Sequence, residues 1–518
     1  MRKPLSEVSL RVFDVAIVGA GINGCSAAQH LAAAGYDVFL VDKGDLGGEA
    51  TSHSGRVLHC GLQLLAPRKS VSEFIKRPSE FLMRLRVAKQ AAQDHAELCR
   101  TMGESLRPMD IAAPIYRGAG YAGWQVDIGA SLIRRFSKGR SPIHYRRWKH
   151  PSQSPHPFVG ALRNTDALES VIAFMDQRFD WPERIAIDAA LNAEEIGAVV
   201  RNFTSVEGLS RHPEGIWRIE LMDRLEPDKP VSISARIVLN LAGAWVDHVI
   251  GRIRTNRSVT PKITAVKGVY ILVRLPPEYR GAGVAGMNRV GEPICCLPWG
   301  DLHYIGPTET RFEGDIDDVI PDEDDIQFLL DEIGCFLPGI AVTRSDLIMA
   351  WAGVRPITSA PGYPKGKRLP FNVLHDLGSE GLPGMLALSW GIIVNHRSTA
   401  RHIVGAVASR IAPSWDKRPI HYARRRFPPS SSPPLQADHP ATLDDLRFCV
   451  EHEHAQDLVG VLFRRTGIAW NATLSRRSVE QAAETIGEML GWSRARIDEE
   501  ISRFAQHMRR HHRFEIAE

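Results

Sequence analysis

Three glycines near the start of the chain are spaced to hold a phosphate group. Gly19, Gly21 and Gly24 follow the apolar run 14–18 and open an alanine-rich stretch that ends at Gly35. In a strand–turn–helix unit the first glycine permits the tight turn, the second lets backbone approach a pyrophosphate, and the third lets helix and strand pack closely. The N–H groups at such a helix start bind phosphate oxygens. This order of elements predicts a dinucleotide-binding βαβ unit.

An acidic residue stands at the end of the second apolar run. Asp42 follows residues 37–41 and lies 18 residues after Gly24. A carboxylate in this position accepts hydrogen bonds from a ribose hydroxyl and disfavours a 2′-phosphate. The sequence therefore predicts FAD or NAD as the dinucleotide and argues against NADP.

Further blocks follow the predicted unit in order along the chain. The first consists of Asn23 inside the glycine motif, Thr51-Ser52, Leu58-His59, Gly61-Leu62 and Leu65. The later blocks are residues 238–245, 266–270, 297–299, 304–309, 351–356, 390–397 and 462–466. Together they resemble the flavin-dependent glycerol-3-phosphate dehydrogenases, within the D-amino-acid-oxidase-like flavoproteins. The asparagine followed by Thr-Ser and His-x-Gly-Leu is far more specific than the glycines alone.

The resemblance implies a fold, a cofactor and its contacts. The expected fold is α/β (α+β), with a Rossmann-like FAD-binding domain interleaved with a β-sheet substrate domain, and a C-terminal helical domain. Residues 10–65, 155–250 and 345–410 are assigned to FAD binding, and 66–154 and 251–344 to the substrate or cap domain. The expected FAD contacts are Gly19, Gly21, Ile22, Asn23, Gly24, Asp42, Thr51, Ser52, Gly243, Trp245 and Gly391.

The last part of the chain has its own punctuation. Residues 427–440 are rich in proline and serine and predict an extended linker before a helical domain at 441–518. Ser478 with Gln481 predicts a capping box, and Gly491 predicts the end of that helix. Ser493 then predicts the cap of a final helix.

The resemblance also places candidate substrate residues. His59 lies beside the expected flavin-binding loop, and histidine suits removal of a hydroxyl proton near neutral pH while hydride leaves for the flavin. A histidine that only hydrogen-bonds backbone remains the alternative. Arg355 is expected to contact substrate or flavin. Arg56, Lys267 and Arg397 are expected to hold an anionic or polyol substrate. A structural salt bridge is the alternative for Arg355, Lys267 and Arg397.

Several family residues are replaced in the expected substrate pocket. Ile392 stands where the family has lysine, Gln63 where it has arginine, Leu64 where it has tyrosine, Asn395 where it has threonine, and Val57 or Arg56 at a further lysine. Losing a charged contact to a phosphate costs about 1.5–3 kcal/mol.

Three functions follow as hypotheses. The first is oxidation of the secondary alcohol of glycerol 3-phosphate or a related polyol (phosphate) to the ketone, with electrons passed to a quinone or another acceptor. The second is an FAD oxidoreductase for a non-phosphorylated hydroxy acid or amine. The third is a catalytically degraded flavoprotein acting as a binding or regulatory subunit.

Composition excludes other classes. Of 518 residues, 44% are hydrophobic and 24% charged, which excludes wholesale disorder and a collagen-like chain. Seven cysteines without CxxC spacing indicate reduced thiols and a cytoplasmic setting. His452 and His454 would not share a helix face, so no metal is expected. A net charge of +4 without aromatic residues among the basic runs argues against nucleic acid. Peripheral contact with the inner membrane face and a homodimer are further expectations.

Overall fold

The computed structural model describes residues 2, 4–66, 76–118, 120–227 and 230–517. Residues 67–75, 119, 228, 229 and 518, which the predicted domain segments include, lie outside the described residues. The helices are α1 Ile22–Ala33, α2 Pro78–Thr101, α3 Gly123–Phe136, α4 Pro182–Ile196, α5 Val246–Gly251, α6 Glu323–Phe336, α7 His396–Ala408, α8 Leu443–His452, α9 Arg476–Leu490 and α10 Arg494–His512. The strands are β1 Val12–Val18, β2 Val38–Val41, β3 Val57–Leu58, β4 Leu106–Tyr116, β5 Arg146–Trp148, β6 Leu168–Phe179, β7 Val199–Arg201, β8 Thr204–Arg211, β9 Trp217–Asp223, β10 Val231–Asn240, β11 Ile263–Val273, β12 Ala282–Met287, β13 Pro293–Trp299, β14 Leu302–Gly306, β15 Thr310–Arg311, β16 Leu347–Thr358, β17 Val373–Asp376, β18 Met385–Ser389, β19 Pro434–Gln436 and β20 His439–Thr442.

The first sheet contains the predicted βαβ unit. Its strands follow the order β17-β18-β10-β1-β2-β7, and β9 and β8 extend it beside β10. The strands β18, β10, β1, β2 and β7 pair in parallel, while β17, β8 and β9 pair antiparallel. Parallel strands are covered on both faces, which explains why β1 and β2 read as nearly continuous apolar runs. The predicted strands at 14–18 and 37–41 are confirmed within two residues.

Helix α1 connects β1 to β2 and packs closely on the sheet. Its side chains Ala27, Ala28 and Leu31 are fully buried in the core shared with β1, β2 and α4. Close packing requires glycine at one position, because a Cβ on Gly24 would lie 1.8 Å from the carbonyl oxygen of Gly19. The third glycine of the motif therefore has the packing role that its spacing predicts.

The second sheet follows the order β15-β11-β14-β13-β12-β4-β6-β3, with β16 beside β11 and β5 beside β6. It departs from the predicted domain boundaries. Strand β6, which falls in the expected FAD segment 155–250, pairs along its length with β4. Strand β16, which falls in the expected FAD segment 345–410, pairs with β11. The chain crosses between sheets within these segments, and apolar strand patterns do not reveal which sheet a strand joins.

The C-terminal unit is helical, as predicted, but begins differently. A short hairpin, β19 with β20, occupies part of the predicted linker at 427–440. Helix α9 is capped by Ser475, whose hydroxyl accepts the N–H of Ser478 at 3.2 Å, so the cap predicted at Ser478 is three residues late. The end at Gly491, with φ +67°, and the cap at Ser493 are confirmed.

A buried ion pair joins the C-terminal unit to the first sheet. Arg465 donates to the two carboxylate oxygens of Asp45 at 2.5 and 2.8 Å, and both side chains are fully buried. Although burial alone raises the pKa of the Asp45 carboxyl, the adjacent Arg465 guanidinium lowers it well below its usual range. Paired burial of this kind holds two units in one arrangement.

No helix in the described part of the chain combines the length and the apolar character that crossing a bilayer requires.

Candidate active site

A cavity of about 2210 Å³ is lined by residues from both sheets and from the C-terminal unit. A pocket for one small molecule typically measures about 300–1,000 Å³. The cavity therefore has room for a dinucleotide together with a smaller second molecule. We call the part around Gly19, Gly21, Ile22 and Asn23 the glycine-rich end.

The glycine-rich end is shaped by backbone that tolerates no side chain. Gly19 has φ +106°, and a Cβ there would lie 2.6 Å from the carbonyl oxygen of Leu241. Gly21 is the N-cap residue of α1, and the first turn of that helix carries no acidic residue. The helix start therefore presents its dipole to the cavity without a competing anion.

Thr51 and Asn23 hold the backbone around this end. The Thr51 hydroxyl accepts the N–H of Ile22 at 3.0 Å. The Asn23 amide donates to the carbonyl of Gly391 at 3.0 Å, and its own oxygen is buried without a partner among the described residues. An orphaned buried oxygen next to a glycine cradle fits a ligand that supplies a hydrogen-bond donor.

Asp42 lies at the end of β2, where the motif places it. Its two carboxylate oxygens accept the N–H groups of Ala20 at 2.6 Å and Gly44 at 2.8 Å. Burial raises the pKa of this carboxyl above its usual value, and the two N–H groups oppose the shift. Asp42 lines the cavity, and the remaining lone pairs of its oxygens are available to ribose hydroxyls.

The predicted FAD contacts Gly243, Trp245 and Gly391 also line the cavity, whereas Gly24 does not. Gly243 has φ +57° and no heavy atom within 4 Å of a hypothetical Cβ. Trp245 donates from its indole to Asp317 at 2.9 Å, and the Lys43 ammonium lies 4.3 Å from the centre of its ring. A Cβ on Gly391 would lie 2.7 Å from the Asn23 amide nitrogen. These residues, with the cradle and Asp42, fit the expected FAD.

Ser52 of the predicted Thr-Ser block and the nearby Arg56 make contacts within the cavity wall. Arg56 is 1% exposed and donates to Glu183 at 2.8 Å, with Trp299 and Trp470 over its guanidinium at 4.9 and 4.2 Å. Ser52 donates to the same Glu183 oxygen at 2.8 Å. The Arg56 guanidinium is thus occupied by a buried ion pair, in place of the predicted substrate contact.

His59 and Arg355 both line the cavity. His59 is half exposed, and its Nδ1 lies 3.6 Å from a carboxylate oxygen of the buried Asp176. Arg355 donates to Glu309 at 3.0 Å and to the carbonyl of Thr308 at 3.3 Å. Its guanidinium fits because Gly268 has no side chain; a Cβ there would lie 2.0 Å from Nη2.

Sequence reasoning missed the other charges beside Arg355. Arg368 donates to both carboxylate oxygens of Glu309, and Lys365 lies 2.6 Å from Glu292. We call Arg355, Arg368, Lys365, Glu309 and Glu292 the charged end. Its three cations and two carboxylates leave one net positive charge, and all of them except Lys365 line the cavity. The basic run 365–368 in a proline- and glycine-rich loop is the signal that could have indicated it.

Lys267 and Arg397 do not reach the cavity. The Lys267 ammonium pairs with Asp322 at 2.6 Å and Asp325 at 2.5 Å, at the start of α6. Arg397 donates to Thr101 at 2.6 Å, and its guanidinium lies 3.7 Å from the ring centre of Tyr422. Neither residue lines the cavity. Arg397 also lies 3.5 Å from a carboxylate oxygen of Glu97, so both cations are held in structural ion pairs here. Strand or helix position does not reveal which neighbour a long cation pairs with.

Helix α10 contributes three histidines to the cavity wall. His507, His511 and His512 face His53 of the glycine-rich side, with His53 and His512 ring centres 5.9 Å apart. Burial, together with the neighbouring His511 and Arg464, lowers the pKa of His53 to about 3. Burial lowers the pKa of all three α10 histidines as well. Across the described residues, no group of three or more His, Cys, Asp or Glu side chains is arranged to hold a metal ion.

Four of the five family departures lie on the cavity wall. Asn395 is the exception and is buried against Asp94, whereas the wall includes Ile392, Gln63, Leu64 and both candidates for the further lysine, Val57 and Arg56. The expected pocket for a phosphate has therefore gained an apolar and uncharged surface at positions that face its interior.

Comparison with known proteins agrees with this geometry. Residues 14–394 match the family model "FAD dependent oxidoreductase", and residues 405–497 match "C-terminal domain of alpha-glycerophosphate oxidase". A glycerol-3-phosphate dehydrogenase of Synechocystis sp. is 24% identical, with 97% of each chain covered.

Solved structures share the fold. A Bacillus halodurans glycerol-3-phosphate dehydrogenase complexed with FAD has a TM-score of 0.71 at 18% identity, covering 98% of this chain and 96% of that one. A glycine oxidase from Geobacillus kaustophilus has a TM-score of 0.52 at 19% identity, covering 80% of this chain and 100% of that one. The predicted fold class and FAD cofactor are confirmed, and the chain belongs to the FAD-dependent oxidoreductase family.

Proposed function

We propose that the protein oxidises the secondary alcohol of glycerol 3-phosphate, or of a related polyol phosphate, to the ketone. One observation carries the proposal: a single cavity joins the glycine-rich end to both His59 and the charged end. The match of residues 405–497 to a glycerophosphate oxidase domain supports this substrate class, as does the name of the Synechocystis relative. The match to that relative extends over the C-terminal unit, which lies beyond residues 14–394, the part matched by the FAD-dependent oxidoreductase model.

The chain's own residues divide the work. FAD, when bound, supplies the acceptor for the hydride that leaves the carbinol carbon. His59 takes the hydroxyl proton from its exposed position on the wall. Arg355 and Arg368 hold the anionic group, because guanidinium N–H groups bind phosphate oxygens in pairs. Glu309 keeps the two guanidinium groups together and accepts a substrate hydroxyl.

A second function is favoured by the apolar replacements on the wall. Ile392 and Leu64 offer no charge to a phosphate, and the charged end carries one net positive charge. A singly charged hydroxy acid or amino acid matches that charge better than a phosphate dianion. The fold shared with glycine oxidase is compatible with it. A catalytically degraded flavoprotein is the third hypothesis, and any substrate that reduces the flavin excludes it.

The electron acceptor is proposed to be a quinone, reached at the cavity mouth. Four exposed apolar side chains belong to the cavity lining: Trp124 57%, Ile128 52%, Met287 49% and Val290 65% exposed. An exposed apolar rim of this kind marks contact with a lipid-soluble partner or a bilayer. Peripheral membrane contact through this mouth is part of the proposal. The expected homodimer stays a prediction that light scattering measures.

The test is an anaerobic absorbance spectrum of the purified flavoprotein. Addition of glycerol 3-phosphate is expected to bleach the oxidised-flavin bands within seconds. Glycerol, glycerol 1-phosphate, a 2-hydroxy acid and glycine serve as the comparison panel. Bleaching by the hydroxy acid or glycine alone would replace the proposed substrate with the second class. An unbleached flavin across the whole panel would contradict both enzymatic proposals.

A further inference from the structure

A buried carboxylate stands directly behind His59. Asp176 lies in β6 and is 1% exposed. Strand β3 pairs antiparallel with β6 through Val57 with Arg178 and Leu58 with Gln177. Continuing that register by one residue brings His59 opposite Asp176. The sheet pairing itself therefore sets the carboxylate against the imidazole.

We propose that Asp176 is a positioning residue that holds the His59 ring with its proton on Nδ1, which leaves Nε2 free to take the substrate's hydroxyl proton. The inference rests on the proposed function for its catalytic consequence. The arrangement itself rests on geometry alone.

One oxygen of Asp176 is held by two groups. Oδ1 accepts the N–H of Cys60 at 3.0 Å and lies 3.3 Å from Nε2 of His95. His95 is fully buried, and its Nδ1 lies 2.6 Å from the hydroxyl of Ser141. With the Ser141 hydroxyl donating to Nδ1, the other His95 nitrogen carries the proton and lies within ion-pair distance of Asp176 Oδ1. Only Oδ2 then remains to face His59.

The distance from Oδ2 to His59 Nδ1 is 3.6 Å. This is an ion-pair contact slightly longer than a hydrogen bond. Catalytic hydrogen bonds are often long before substrate binds and shorten as charge develops. A carboxylate at this position stabilises the imidazolium that forms when His59 takes a proton, and it fixes which nitrogen is the acceptor.

The other titratable neighbours of Asp176 are thiols. Burial raises the pKa of Cys60, Cys99 and Cys295, and the negative charge of Asp176 raises it further, to about 12 for Cys99 and Cys295. These thiols stay protonated near neutral pH and bring no competing charge.

The proton step balances within this arrangement. The substrate O–H bond breaks and a new N–H bond forms on His59 Nε2. The electron pair of the carbinol C–H bond leaves with its hydrogen as hydride, accepted by the FAD on which this family depends. His59 is then a cation facing Asp176.

Asp176→Asn tests the proposal sharply. The N–H of Cys60 and the donor of His95 select the amide oxygen for the Oδ1 position, so the amide NH₂ turns toward His59. An N–H donor there forces the His59 proton onto Nε2, the nitrogen that must be free. We expect flavin reduction by glycerol 3-phosphate to slow by about 10²–10⁴-fold, with FAD content unchanged.

A readout without turnover accompanies the rate. Nitrogen-15 NMR of histidine-labelled protein reports which ring nitrogen carries the proton, and His59→Gln identifies the signal by its loss. The wild type is expected to show the Nδ1–H form and Asp176→Asn the Nε2–H form. Asp176→Glu, which keeps the charge, should retain the wild-type form and recover most of the rate. Glu332→Gln, at a buried and paired carboxylate outside the cavity, is the matched control and should change neither readout.

The outcomes separate the two proposals. A wild type whose flavin no substrate reduces contradicts the proposed function, while the NMR result still judges Asp176. The same tautomer in wild type and Asp176→Asn would overturn the inference. The inference would also be overturned if the double variant Asp176→Asn with His59→Gln reduced flavin more slowly than His59→Gln alone. If Asp176→Asn does not fold, the wild-type spectrum decides by itself. An Nε2–H form of His59 in the wild type overturns the inference, and an Nδ1–H form supports it.

Discussion

The glycine-rich end of the cavity is built mainly from backbone close together in the chain, whereas the charged end is built from side chains of three distant segments. Gly19, Gly21 and Asn23 lie within one turn and its helix. Glu292, Glu309 and the run 355–368 meet only after the second sheet has formed. The first end therefore depends on steric space, and the second depends on the balance of charges.

This difference predicts how each end fails. A methyl group added at the glycine-rich end displaces backbone, for which no neighbour can compensate. A side chain removed at the charged end leaves the fold intact and changes the affinity for substrate. The predictions below test that contrast, from the largest expected effect to the smallest.

Gly24→Ala is expected to weaken FAD binding. The new Cβ would meet the carbonyl of Gly19 at 1.8 Å, and overpacking of this kind costs about 1–3 kcal/mol or more. We expect the affinity for FAD to fall by at least about tenfold, measured from the ratio of flavin to protein absorbance. Gly103→Ala, where a Cβ meets nothing within 4 Å, is the control. Full FAD content in Gly24→Ala would contradict the steric account.

Arg355→Ala is expected to weaken substrate binding while leaving FAD in place. Loss of one charged contact costs about 1.5–3 kcal/mol, so KM for glycerol 3-phosphate should rise about 10- to 150-fold. Arg236→Ala is the control, since Arg236 is also a strand arginine paired with a carboxylate but lies outside the cavity. A rise in KM equal for phosphorylated and uncharged substrates would show that Arg355 does not bind the anion.

Lys267→Met is expected to reduce stability without changing KM. Removing the ammonium leaves Asp322 and Asp325 facing each other at the start of α6. Breaking a buried pair costs about 3–5 kcal/mol, and because Asp322 is half exposed the cost here lies toward the lower figure. The melting temperature of a chain this long should therefore fall by about 3 °C. Thermal unfolding and steady-state kinetics on the same preparation measure both quantities. A KM that rises as in Arg355→Ala would return Lys267 to the substrate site.

Stability is expected to fall as the pH drops below about 6.5. Burial and neighbouring cations lower the pKa of His53 to about 3 in the folded protein, and the α10 histidines also have lowered pKa values. The unfolded chain then binds more protons below pH 6.5, so the stability present above that pH is lost on acidification, at about 1.4 kcal/mol per pH unit for each histidine kept neutral. Melting temperatures at pH 7.5, 6.0 and 5.0 measure the loss.

His512→Phe sharpens this prediction. Both ring nitrogens of His512 are buried without partners among the described residues, and the ring stacks on Phe463 at 4.5 Å. Phenylalanine preserves the stack and removes one titrating group. The difference in melting temperature between pH 7.5 and 5.0 should shrink relative to wild type. An unchanged difference would assign the acid sensitivity to the other buried histidines, His53, His507 and His511.

Trp124→Ser at the mouth should have the smallest effect. Loss of one exposed apolar side chain is expected to reduce binding to vesicles of mixed neutral and anionic lipids, and the rate of quinone reduction in them, by roughly threefold. Trp415→Ser, at an exposed tryptophan that does not line the cavity, is the control. Equal behaviour of the two variants would remove the mouth from the proposed membrane contact.

Residues of the glycine-rich end could be predicted from the sequence more readily than the partners of the cations. Gly19 through Asp42 could be predicted because each role depends on neighbours within about 30 residues. Arg56, Lys267 and Arg397 could be identified as cations but not given the right partners. The partners of these cations come from segments distant in the chain, and a buried cation requires such a partner. They are Glu183, Asp322, Asp325 and Tyr422. Arg368 was missed for the same reason, because its partner Glu309 lies 59 residues away in the chain.

The sequence by itself determined the βαβ unit, the fold class, the cofactor and the residues at which the pocket departs from its family. The βαβ unit follows from local patterns whose physical roles do not depend on distant contacts, and the other three follow from the resemblance to a known family. Only the tertiary structure decided which cations face the cavity, that β6 and β16 belong to the second sheet, and that Asp176 stands behind His59. Those features depend on strand register and on burial of charge, which are properties of segments that meet only in the folded chain.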